Sequence, residues 1–91
     1  MENVITKKNS YGETIVIKLE KGIIKVKHSD LDGKFRTLNT FFKNIILSED
    51  ETFMISLACR ELTLKHAFPD KAELFGQIFN YEPKKNKNRL K

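Results

Sequence analysis

Lysines and phenylalanines recur through the first half of the chain at spacings that gather them on β-strands. Lys18, then Lys25 and Lys27, then Lys34 and Arg36 around Phe35, then Lys43 beside Phe41 and Phe42 combine cations with flat rings. Single-stranded nucleic acid presents the complementary features, phosphates along one edge and unstacked bases that lie on aromatic faces. A stacked base contributes about 1–3 kcal/mol, and the phosphate contribution falls steeply with salt. Taken singly, strand lysines are edge protection and phenylalanines fill cores. As a set, on a chain whose charge is strongly polarised, they favour binding.

Other chemistry finds less support. His28 and His66 stand apart, neither belongs to an HxxxH or CxxC spacing, and with the single Cys59 they give no zinc signature, so no metal or cofactor is expected. Cys59 reads as a small core filler within a helix. Gly12, Gly22, Gly33 and Gly76 are too scattered to cradle a phosphate. A small ribonuclease toxin needs convergent acid and base groups, and His28 beside Lys27 is the lone candidate pair. The expectation is a protein without catalysis.

At 91 residues the chain has the length of one domain, and a core this small commonly gains stability by dimerising. Its formal charge of +5 is unevenly spread. The last eight residues carry five cations and no acid, which leaves residues 1–83 neutral. Within these, Lys7 to Lys43 holds nine basic and four acidic residues, and Asn44 to Pro83 three basic and seven acidic. A basic half thus precedes an acidic one, with a basic tail over 83–91. One cysteine and no apolar leader after Met1 point to an intracellular, unsecreted protein, and no apolar run suits a membrane.

The elements that must position these residues can be read in order. Residues 1–12 are polar and expected to be flexible, ahead of a domain over 13–82. Thr14 to Leu19 alternates with β-branched enrichment, Glu20-Lys21-Gly22 turns, and Ile23 to His28 returns with Lys25 and Lys27 on one face. After a turn at Ser29 to Gly33, Lys34 to Leu47 is expected to give up to two further strands, Phe35 to Asn39 and Phe42 to Leu47, or one long irregular strand, for a sheet of three or four antiparallel members. Ser48-Glu49-Asp50-Glu51 is a capping box that opens a helix running to about Lys65 and burying parts of Phe53, Met54, Leu57, Ala58 and Leu62. Pro69 stops it. Asp70 and Glu73 open a second, short helix whose Leu74, Phe75, Ile78 and Phe79 share one apolar face.

From Thr14 to Leu62 the sequence resembles the positive cofactor four family of single-stranded-DNA-binding transcriptional coactivators, with its small bacterial and phage relatives. The likeness rests on the strand ending in Lys18, the Lys21-Gly22 turn, Ile24-Lys25-Val26-Lys27, the Asp30 to Lys34 loop, and Lys43-Asn44-Ile45-Ile46-Leu47-Ser48 leading into a capped helix. The resemblance implies an α+β fold: a curved four-stranded antiparallel sheet followed by a helix (ββββα), here with a short C-terminal helix, dimerised through the long helix. It implies DNA contacts at Lys18, Lys21, Lys27, Phe42, Lys43 and Asn44. The family's tryptophan after the second strand is missing, so either Phe35 or Phe42 supplies the stacking ring or the stacking is lost. Asn44 stands where the family has a glycine. The expected function is therefore single-stranded DNA binding by a homodimer, with RNA as a further ligand, in transcription, replication or recombination. Lys25 and Arg36 add phosphate contacts. The alternatives are a regulator that docks on a transcription or replication protein such as a polymerase, and the ribonuclease toxin.

Overall fold

The computed structural model describes residues 3–83. Its framework is an antiparallel meander in which β1 (Val4–Lys8), β2 (Thr14–Glu20), β3 (Ile23–His28) and the two-residue β4 (Arg36–Thr37) lie side by side in chain order. The β2–β3 hairpin forms where the alternation places it. Lys21 and Gly22, at φ 53° and 78°, make the two-residue turn whose left-handed backbone matches the twist of the flanking strands.

β1 corrects the expectation of a flexible start, because Val4, Ile5 and Thr6 supply a β-branched run that pairs with Val16 to Lys18. The loop that follows is organised by Asn9, whose Oδ1 accepts from the backbone N–H groups of Tyr11 and Glu13, and by Gly12 at φ 83°.

A second correction concerns residues 35–47. Instead of two strands, β4 is brief and Leu38–Asn44 is a helix, α1. The Thr37 hydroxyl accepts from the Thr40 N–H at its start, and Leu38, Phe41 and Ile45 recur at helical spacing, so Phe41 enters the core while Leu38 and Ile45 pack against it. Ile45 to Leu47 is the linker, and Ile46 is fully exposed.

α2 (Glu49–Ala67) carries the expected capping box, with Ser48 and Glu51 bonded reciprocally. Its buried stripe is Glu51, Met54, Ile55, Ala58, Glu61 and Leu62, an i, i+3, i+4 series that turns Phe53 outward. Phe53 is only partly covered, at 53% exposed, and meets Tyr81 edge to face at 5.2 Å. Ile15, Ile17 and Val26 from the sheet, Phe41 from α1 and Met54, Ile55, Ala58 and Leu62 from α2 form the core. A 3-10 turn at Pro69–Lys71 leads to α3 (Ala72–Ile78), which packs on α2. None of the helices among the described residues is long and apolar enough to cross a membrane.

The antiparallel sheet with helices segregated to one side makes this an α+β domain. Of the expected strands, Phe35 to Asn39 is present only as the two-residue β4 and Phe42 to Leu47 is helix and linker, so β1 supplies the remaining member of the sheet.

Candidate nucleic-acid interface

Strand parity divides the hairpin's charges. Ile15 and Ile17 of β2 and Val26 and His28 of β3 point toward the helices, so Lys18, Lys25 and Lys27 point the other way. Lys18 and Lys25 stand directly opposite each other, and Lys27 is the diagonal neighbour of Lys18 beside Val16. β1 extends this face with Val4 and Thr6, opposite Lys18 and Val16.

Phe35 completes the arrangement. The loop after β3 returns to bring its ring under two ammonium groups, Lys18 Nζ at 4.1 Å and Lys27 Nζ at 4.9 Å from the centroid. The loop is held by Asp32, which accepts from the Lys34 N–H and from both terminal nitrogens of Arg36. Those bonds keep the Asp32 carboxyl at about 2, below its usual 3.8, with the Arg36 hydrogen bonds the leading cause. Arg36 was expected to meet phosphates. It sits opposite Val26 in the ladder, with its planar fork engaged by Asp32.

Glu20 tempers the patch. Its carboxylate lies 3.4 Å from Lys18 Nζ and 3.7 Å from Lys25 Nζ, and these cations, Lys18 foremost, lower its pKa. Lys21 projects from the exposed turn at the end of the same hairpin. The remaining three expected contacts lie elsewhere. Phe42, Lys43 and Asn44 ride on α1, on the helical side of the sheet, where Phe42 meets Phe41 edge to face at 5.8 Å and Asn44 Nδ2 donates to the Thr40 carbonyl. They do not join the lysine face, because the segment that carries them is not a strand.

The covered side holds a group that sequence spacing did not bring together. His28 is 3% exposed, and its Nε2 lies 3.5 Å from Glu13 Oε1 and 3.9 Å from Glu51 Oε2. Asn9 Nδ2 donates to those same two oxygens, at 2.8 and 2.6 Å. The three ligand-capable residues lie 15 and 23 positions apart, so no motif could have flagged them. Lys27 and His28, adjacent in sequence, therefore face opposite sides and do not converge as an acid–base pair. Cys59 is half-buried, and burial pushes its thiol up to about 11, away from nucleophilic use at neutral pH.

No family model, no curated protein and no solved structure matches the chain.

Proposed function

We propose that the protein binds single-stranded nucleic acid, DNA foremost, on the open face of its sheet, without catalysis or strong sequence preference, and that it acts as a homodimer in transcription, replication or recombination. The observation that carries this reading is the stack of Lys18 and Lys27 on Phe35. At an exposed site each cation–π contact is worth about 0.5–1 kcal/mol, whereas a base on a ring contributes about 1–3 kcal/mol. A strand can therefore lay a base on Phe35 while both ammonium groups swing to its flanking phosphates. Lys25 and Lys21 continue the cationic track along the hairpin. The positive cofactor four resemblance adds weight at Lys18, Lys21 and Lys27, and none at the helical positions Phe42, Lys43 and Asn44. The basic tail from Lys84 to Lys91, which lies outside the described residues, adds nonspecific attraction.

Titration of labelled oligo-dT at several salt concentrations tests the reading. Lys18→Ala with Lys27→Ala should weaken binding at least tenfold and, if two phosphate contacts go, flatten the slope of log affinity against log salt by about 1.4. Absence of binding at low salt, a preference for duplex, or an unchanged double variant would sink it.

A second reading is favoured by α3, where Leu74 and Ile78 are 50% and 61% exposed with Phe75 and Phe79 half-buried beside them. That face suits a protein partner, such as a polymerase subunit. Under this reading Leu74→Ser with Ile78→Ser abolishes partner capture and leaves the affinity for oligo-dT unchanged.

A further inference from the structure

We propose that Glu13, His28 and Glu51 form a site for one divalent transition-metal ion of the zinc class. The three residues come from the β1–β2 loop, the end of β3 and the first turn of α2, and their ligand atoms all lie within 4.8 Å of one another. The separations themselves suggest an ion. His28 Nε2 stands 3.5 and 3.9 Å from the two carboxylate oxygens, beyond the 2.7–3.2 Å of an N–H···O bond. Ligands bonded to zinc at about 2.0–2.2 Å sit roughly 3.3–3.8 Å from each other, so the His28–Glu13 separation already suits an ion and the His28–Glu51 separation needs a contraction of only a few tenths of an ångström.

His28 supplies an independent sign. Its side chain is 4% exposed, and Nε2 is aimed between the two carboxylates. A buried imidazole nitrogen aimed between two carboxylate oxygens, at separations too long for a good N–H···O bond, is held more favourably when an ion sits between them. With a neutral imidazole the trio also holds two negative charges beneath the sheet, and the Glu51 side chain is only 10% exposed. A divalent cation would cancel both.

Asn9 fits this role as an orienting group. Its carbonyl is pinned by two backbone N–H groups, and its single NH2 bonds both Glu13 Oε1 and Glu51 Oε2. A carboxylate oxygen has two lone-pair directions, so each can accept from Asn9 and still face an ion, as ligating carboxylates commonly do. The other Glu51 oxygen is taken by Ser48, which fixes the carboxylate plane. One imidazole and two carboxylates suit zinc or its first-row neighbours better than magnesium, which takes oxygen ligands in near-ideal octahedra. The site lies on the covered side of the sheet and is independent of strand binding on the other.

The test uses the full chain, stripped with a chelator and titrated with Zn2+ alone. Calorimetry should give one ion per chain. Saturating Zn2+ should raise Tm by about 5–10 °C, and the same concentration of Mg2+ should not. In nitrogen NMR the His28 Nε2 signal should shift while exposed His66 keeps its position. Glu13→Gln, chosen because Glu51 also caps a helix, should lower Zn2+ affinity at least tenfold. Should that variant not fold, the His28 signal of the unmodified chain decides alone. No stoichiometric binding at millimolar Zn2+, a shift confined to His66, or a folded Glu13→Gln variant of unchanged affinity would overturn the site.

Discussion

β3 carries two kinds of charge on its two faces. Outward, Lys25 and Lys27 are partly exposed, and their partners, Glu20 and the Phe35 ring, are ones a ligand could displace. Inward, His28 is buried against Glu13 and Glu51, which Asn9 and Ser48 hold by hydrogen bonds. Alternate residues of one strand thus separate groups free to exchange partners from groups fixed by the fold. A mutation on one face should read out in binding, and on the other in stability.

The largest expected effect lies on the covered face. Glu51→Ala removes a capping-box acid and strands the Asn9 amide, and should cost about 2–4 kcal/mol in urea denaturation. A loss below about 0.5 kcal/mol, the range of ordinary surface changes, would erase the contrast. On the open face, Phe35→Ala should lower oligo-dT affinity by about five- to a hundredfold, the equivalent of one stacked base, while Phe35→Trp retains or strengthens it. The Lys18→Ala, Lys27→Ala pair should cost no more than the two cation–π contacts it removes, about 1–2 kcal/mol, while affinity falls at least tenfold.

Lys21→Asn sharpens the comparison at the turn that joins the faces. Lysine there occupies a left-handed conformation at φ 53°, so asparagine should raise stability by about 0.5–1 kcal/mol while strand affinity falls several-fold. The smallest effect concerns Asp32. Because its pKa is lowered in the folded state, its bond to Arg36 is fully present above 3.8 and is lost as pH falls through about 2. Carboxyl NMR should find that midpoint, and Arg36→Ala should return it toward 3.8.

How much of this could be read beforehand follows from how local each signal is. The β2–β3 hairpin and the α2 start are encoded within a few residues, by alternation, Lys21-Gly22, and Ser48 with Glu51, and both formed where expected. Leu38, Phe41 and Ile45 also kept a helical period, but aromatic and β-branched weight, reinforced by the family resemblance, pointed to a strand. β1 was obscured by the polar residues that follow Val4-Ile5-Thr6. The outward set of Lys18, Lys25 and Lys27 was legible from parity alone. Phe35 could be named as a stacking ring, yet its place beneath Lys18 and Lys27 depends on the Asp32–Arg36 clasp. The His28 group needed three elements to meet, which no spacing encodes.

The meander has a kinetic consequence. Every strand pairs with its sequence neighbour, so the sheet can zip outward from the Lys21-Gly22 turn by closing only short loops. The long closure is the one that seats α2, joining Asn9 to Glu51 across 42 positions. Substitutions at the turn should therefore change the refolding rate, whereas loss of the Asn9–Glu51 bond should chiefly hasten unfolding.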